Sequence, residues 1–180
     1  MLLKDYFPNL QKKYHKLSFK GIAFNSNEVK EGYIFFAFKG NNTDGNLFIK
    51  DAIRNGSKII ISDKFKTNNW KNNILFLKND NPRNLLAKFS TKIFDKKPNN
   101  LIGITGTNGK SSIANFYFQI LTYNRIKAAS IGTLGVNGLK VKKKFPNTTF
   151  DSIQINKILK KLKEKKIENV ILEASSHGLN

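Results

Sequence analysis

The 180 residues predict an α/β protein in two consecutive domains, a small one over residues 1–97 and the front of a second over residues 98–180. Short runs of β-branched and aromatic residues alternate with stretches whose apolar residues recur at helical spacing. Clusters rich in Gly, Asn and Asp separate the two kinds of segment. A polar stretch without periodicity, Asp95-Lys96-Lys97-Pro98-Asn99-Asn100, divides the series in two and reads as a linker.

In the first half, Tyr33-Ile34-Phe35-Phe36-Ala37-Phe38 is a continuous apolar run and predicts a strand buried on both faces. Lys39 to Asn46 is dense in turn formers and predicts a loop. Phe48, Ala52 and Ile53 predict a short helix that stops at Gly56. Ile59-Ile60-Ile61 and Ile74-Leu75-Phe76-Leu77 are two further strands. Asn81 and Pro82 open a helix as cap and first residue, with Leu85, Phe89 and Ile93 along one face.

The second half begins with the strand Leu101-Ile102-Gly103-Ile104-Thr105 and a glycine-rich loop over residues 106–112. Ile113, Phe116, Tyr117, Ile120 and Leu121 predict the inner face of the helix that follows. Ala128 to Ile131 is a strand, and Val136 to Lys144 a hairpin turning at Asn137-Gly138. Asp151, with Gln154 three residues on, caps a helix whose inner face is Ile155, Ile158, Leu159 and Leu162. Asn169 to Glu173 is the last strand.

Composition narrows the function. The chain carries 32 Lys and Arg against 12 Asp and Glu, a net charge of +20, which first suggests nucleic acid. Yet 29 of these are Lys and three are Arg, whereas base-edge readout favours Arg. The surplus is also even, +11 over residues 1–97 and +9 over residues 98–180. Lys, Asn and Ile are inflated together, as an AT-rich coding sequence would produce. A solvated basic surface is the simpler reading, and a nucleic-acid-binding module is its rival. With no Cys there are no disulfides, thiolate zinc sites or thiol nucleophiles, and His15 and His177 are too few for a histidine-built cage. No apolar run approaches the roughly 18 residues of a membrane span. The start lacks the apolar core of a secretory signal, so a cytoplasmic protein is expected.

Strand, glycine-rich loop, lysine, hydroxyl and helix is the recipe for holding a nucleoside triphosphate. Gly106 and Gly109 let the backbone curl, Lys110 can reach the outer phosphates, and the Ser111 hydroxyl suits Mg²⁺. The usual pattern would place glycine at position 104, which is Ile104; Gly103 stands one residue too early.

The segment Gly103-Ile104-Thr105-Gly106-Thr107-Asn108-Gly109-Lys110-Ser111-Ser112 resembles the variant phosphate loop of the Mur ligases and folylpolyglutamate synthases, which join amino acids to carboxylates using ATP. Glu173-Ala174-Ser175-Ser176-His177-Gly178-Leu179 resembles a segment of the Mur ligases that add the third residue of the peptidoglycan stem peptide. Asn147-Thr148-Thr149, followed by Asp151 and an amphipathic helix, resembles their substrate loop. From about residue 22 the first half is similar to the family's uridine-nucleotide domain, through Asn25-Ser26-Asn27, Gly32, Gly40 and Asp44-Gly45. Asn25 and Asn27 stand where the family usually has Asp and Arg.

The resemblance implies a small UDP-binding α/β domain followed by an incomplete P-loop-type α/β ATPase domain. It implies ATP at Gly106, Thr107, Asn108, Gly109, Lys110, Ser111 and Ser112, with Mg²⁺ held by Ser111 and Glu173. Lys110 and Glu173 would carry the chemistry. Phe24, Ser26, Asn42, Thr43 and Asp44 would contact the UDP end of the substrate, and Asn147, Thr148, Thr149 and Ser175 its muramoyl-peptide end. The implied partners are UDP-N-acetylmuramoyl dipeptide and an amino acid, diaminopimelate or lysine with diaminopimelate the commoner choice, joined through an acyl phosphate by a monomeric enzyme. The family's central domain runs further, to a carbamylated lysine, and a third domain binds the amino acid. The resemblance therefore implies a fragment that forms no amide by itself, or else a remnant that binds UDP-sugar and ATP without catalysis.

Other readings stand beside these. Glu173 could be a strand-end carboxylate in solvent, and His177 a positioning residue. Ser175 and Ser176 lack the partners of a hydrolase triad. Asp80-Asn81-Pro82-Arg83 spells the family's diaminopimelate-recognition motif, but it lies before the phosphate loop, where helix capping accounts for it.

Overall fold

The computed structural model describes residues 1–7, 10–40, 43–133, 135–138 and 150–174. The chain forms two compact units, Met1–Ile93 and Phe94–Asn180.

In the first unit the strands β1 (Gly21–Ala23), β2 (Tyr33–Ala37), β3 (Ile59–Ser62), β4 (Asn69–Lys71) and β5 (Ile74–Lys78) form one sheet in the order β1-β2-β3-β5-β4. All neighbours are parallel except β4, which runs antiparallel to β5 at the edge. The run Ile34 to Ala37 is apolar throughout because β2 is covered on both faces. Phe35 and Ala37 pack with Ala52 of helix α1 (Ile49–Arg54). Phe36 points the other way and meets Phe89 of helix α2 (Pro82–Ile93) edge to face at 5.4 Å. Asn81 caps α2 as expected, its Oδ1 accepting from the Asn84 N–H at 2.9 Å. Phe89 also gathers Tyr6 and Phe19, which ties the first nineteen residues to the core. This opening stretch makes two 3₁₀ turns, Leu3–Asp5 and Lys12–Tyr14, that the sequence reading left unassigned.

In the second unit β6 (Asn100–Ile104), β7 (Ala128–Gly132), β8 (Gly135–Asn137) and β9 (Asn169–Glu173) are ordered β6-β9-β7-β8. The first three are parallel, and β8 returns antiparallel along β7. Helix α4 (Ser152–Glu164) lays Leu159 and Leu162 against Ala129, Ile131 and Val170. Its cap is as expected: Asp151 Oδ1 accepts from the N–H groups of Ile153 and Gln154, both at 2.8 Å.

One expectation is corrected by the structure. Helix α3 (Lys110–Tyr123) does not pack through the stripe Ile113, Phe116, Tyr117 and Ile120. Those side chains are exposed, Phe116 by 62% and Ile120 by 59%, and the helix rests on the sheet through Ala114, Phe118 and Leu121. The apolar arc of the helix is wide, running from Phe116 through Ile113 and Leu121 to Phe118, so periodicity alone does not tell which part of it faces the sheet. The hairpin expected over Val136 to Lys144 is described only in its first strand. Val136 pairs back with Ile131 of β7, with Gly138 at a positive φ of 89° after the strand. Residues 139–144, its expected partner, lie outside the described residues. No helix among the described residues is long and apolar enough to cross a membrane.

Candidate functional site

In open parallel sheets, ligands sit beyond the carboxyl ends of the strands. In the second unit that end is built from β6, β9 and β7. The loop after β6 closes onto α3 through Gly109, whose φ of 78° is the left-handed conformation that glycine tolerates at a helix start. Gly106, at φ 145°, provides the preceding bend. Thr105 to Gly109 are exposed, so the loop backbone is open to solvent. Lys110 folds over it, donating from Nζ to the carbonyls of Gly106 at 2.6 Å and Thr107 at 3.2 Å.

The register of the sheet brings the carboxylate to this loop. Ile104 of β6 lies opposite Glu173 of β9, and the Ala174 N–H donates to the Ile104 carbonyl at 2.9 Å. Glu173 thus leaves its strand beside the start of the phosphate loop. Ser111, in the first turn of α3, donates from Oγ to Glu173 Oε2 at 2.9 Å. Two more donors reach the same oxygen from the end of β7, the Thr133 N–H at 3.2 Å and Thr133 Oγ1 at 3.0 Å.

Ser111 and Glu173 fit a magnesium ion. No group of three or more His, Cys, Asp or Glu side chains capable of holding a metal occurs among the described residues. One carboxylate and one hydroxyl at a phosphate loop are instead the set that Mg²⁺ takes when phosphate oxygens and water complete its octahedron.

In the first unit the sequence-predicted residues lie in the loops after β1 and β2. Phe24 follows β1, and its ring stacks on Phe38 after β2, centroids 6.0 Å apart and planes 18° from parallel. Ser26 is buried at the start of a 3₁₀ turn, Ser26–Glu28. Asn25 caps that turn by accepting from the Asn27 N–H at 3.0 Å, so Asn does here what Asp would do at a cap. The Asn55 side-chain amide donates to the Ser26 carbonyl at 2.9 Å. The Thr43 carbonyl accepts from the Gly40 N–H at 2.8 Å. Asp44 Oδ1 accepts from both the N–H and the side-chain amide of Asn46, which hold its carboxyl below the usual value, helped by Lys64 and Lys39. Asn46 is fixed in turn by the buried Ser62, whose hydroxyl donates to it at 2.5 Å.

Asn42, Asn147, Thr148, Thr149, Ser175 and His177 lie outside the described residues. The sequence reading passed over Thr133, Asn55 and Phe38. The one signal for Thr133 is its place just after a strand, in Ile131-Gly132-Thr133.

A strand, a glycine loop, a lysine and hydroxyl opening a helix, and a carboxylate on the adjacent parallel strand define the phosphate-loop class of α/β domains. Within that class the chain belongs to the Mur ligase family. The Mur ligase family catalytic domain matches residues 18–94, and the Mur ligase middle domain matches residues 104–180. A UDP-N-acetylmuramoyl-L-alanyl-D-glutamate–2,6-diaminopimelate ligase of Rickettsia montanensis is 40% identical over 176 residues, 96% of this chain and 36% of that protein. A ligase of the same name from Brucella melitensis is 36% identical over 160 residues, 89% of this chain and 33% of that protein. The chain thus spans about a third of the length of these relatives. A solved structure of a ligase of that name superposes with a TM-score of 0.78 at 24% identity, covering 99% of this chain and 37% of its own. The MurF ligase of Thermotoga maritima in complex with ADP gives 0.55 at 24% identity, over 87% of this chain and 32% of its own. These two show the shared fold.

Proposed function

We propose that this stretch of chain holds the nucleotide and the UDP-linked substrate of a ligase that adds diaminopimelate to UDP-N-acetylmuramoyl-L-alanyl-D-glutamate at the expense of ATP. The observation that carries it is the 2.9 Å contact between Ser111 and Glu173 at the mouth of the phosphate loop. Two residues 62 positions apart meet where a nucleotide-bound cation needs a hydroxyl and a carboxylate.

The roles follow from chemistry. Residues 106–112 cradle the ATP phosphates, and Lys110 turns from its loop carbonyls to the phosphate charge. The substrate's terminal carboxylate attacks the γ-phosphorus, ADP leaves, and the resulting acyl phosphate is attacked by the amine of the amino acid. The amide bond forms as inorganic phosphate departs. Positioning and charge stabilisation dominate such a transfer, so Lys110 matters more than any acid or base. Mg²⁺ held by Ser111 and Glu173 would neutralise phosphate charge as it moves. Phe24, Ser26, Thr43, Asp44 and Asn42 take the uridine-diphosphate end, while Asn147, Thr148, Thr149 and Ser175 take the muramoyl-peptide end. The preference for diaminopimelate rests on the names of the relatives. We place the reaction in the cytoplasm, where ATP is available, and in a monomer.

The test is calorimetry on the 180-residue chain. ATP with Mg²⁺ is expected to bind the wild type and to bind Lys110→Ala much more weakly, and UDP-muramoyl dipeptide is expected to bind both equally. Nucleotide affinity unchanged by Lys110→Ala would sink the phosphate-loop assignment. Salt-sensitive DNA or RNA binding in its place would favour the basic module.

A further inference from the structure

We infer that Thr133 is a positioning residue of the cation site: it clamps the Glu173 carboxylate to the sheet so that the carboxylate and Ser111 meet the ion together. The inference rests on the nucleotide reading above and adds a residue that reading does not use. Three donors converge on Glu173 Oε2, from Ser111 Oγ, the Thr133 N–H and Thr133 Oγ1. They are not equivalent. Ser111 gives its only hydroxyl proton to Glu173 and keeps its lone pairs for a cation, so that bond joins the two ligands to each other. Thr133 gives two protons from one residue at the end of β7. It fixes the carboxylate to a strand that is separate from the phosphate loop.

Gly132 supplies the other half of the seat. A Cβ on Gly132 would lie 2.2 Å from Glu173 Cδ and 2.3 Å from Oε1. The carboxylate therefore lies flush against the Gly132 backbone, and any side chain there would lift it away. Floor and clamp come from adjacent residues, Gly132 and Thr133, on the strand that neighbours β9. Without the clamp, Glu173 would be tied only to the mobile proton of Ser111, and its oxygens would meet an incoming cation in several orientations. Hydrogen bonds to a ligating carboxylate orient it, and losing one costs about 10- to 100-fold in metal affinity. Thr133 is exposed, so removing its hydroxyl leaves no buried polar group unpaired.

The test uses the whole 180-residue chain with Mn²⁺ as a spectroscopic stand-in for Mg²⁺ and a non-hydrolysable ATP analogue. Thr133→Val keeps the shape and the main-chain N–H and removes only the hydroxyl bond. Electron paramagnetic resonance should show its Mn²⁺ affinity in the ternary complex lowered about 10-fold, while Thr133→Ser restores it. Analogue affinity in EDTA should be equal in all three, which also certifies their folding. Gly132→Ala should weaken Mn²⁺ in the same way by displacing Glu173. Wild-type Mn²⁺ affinity in Thr133→Val overturns the inference and leaves the nucleotide reading standing. A wild type that binds no analogue at all overturns that reading, and the inference with it.

Discussion

The two units meet the same requirement, a loop held at the carboxyl end of a parallel sheet, by different means. In the first unit the caps of the loops are local: Asn25 holds Asn27, and Asp44 holds Asn46, each two residues away, while Asn55 and Ser62 brace those turns from 29 and 16 residues off. In the second unit the decisive contacts are remote: Ser111 and Thr133 reach Glu173 across 62 and 40 residues. Local bonds survive small shifts of the strands that carry them. Remote ones depend on the register of β6, β9 and β7, so the second site is the more easily lost.

The largest expected effect tests whether the units are separable. Phe35 is fully buried in β2, and Phe35→Ala should destabilise the first unit by about 3–5 kcal/mol. Urea unfolding followed by circular dichroism should then show an early transition, while nucleotide still binds the second unit. Joint loss of both would break the comparison. Next comes Lys110→Ala. A hydrogen bond to a charged group is worth about 1.5–3 kcal/mol, so ATP affinity should fall about 10- to 100-fold. The unfolding midpoint should hold, because among the described residues Lys110 Nζ bonds to the carbonyls of its own exposed loop.

Legibility in the sequence follows the same division. β2 was readable because burial on both faces makes its sequence continuously apolar, and α2 and α4 because Asn81 and Asp151 are caps whose partners lie two or three residues on. β1 and β4 are three residues long, too short for any period to register. The inner face of α3 was misread because its larger apolar side chains, Phe116 and Ile120, face outward and the small Ala114 faces in. The glycine loop and Glu173 could be singled out by residue type and, for Glu173, by resemblance. Thr133 could not, since a threonine after a strand gives no sign of the carboxylate forty residues away that it holds.

A smaller effect probes the local side. Asp151→Ala removes the two-donor cap of α4 and should cost about 1 kcal/mol, read as a lower urea midpoint of the second unit alone. A loss shared by the first unit would mean that the caps do not act locally.

The smallest effect sharpens the comparison within one helix, because the two ends of α4 respond to acid with opposite signs. Burial raises the Asp151 carboxyl above its ordinary value of 3.8, against the pull of the Gln154 and Ile153 N–H groups. A raised carboxylate binds its proton more tightly in the folded state. Its contribution to stability is therefore full below pH 3.8 and is lost as pH rises through the folded value. Glu168, just past the other end, is held below its ordinary 4.5 by Lys163, at 2.7 and 2.8 Å, and by the Asn99 N–H. Its contribution is full above pH 4.5 and is lost as pH falls through the lower folded value. Urea midpoints of the second unit between pH 7 and pH 3 should separate the two. Wild type minus Glu168→Gln should decline toward acid, and wild type minus Asp151→Asn should climb. Difference curves of the same sign would show that hydrogen bonding, not burial, sets the charge of the Asp151 cap.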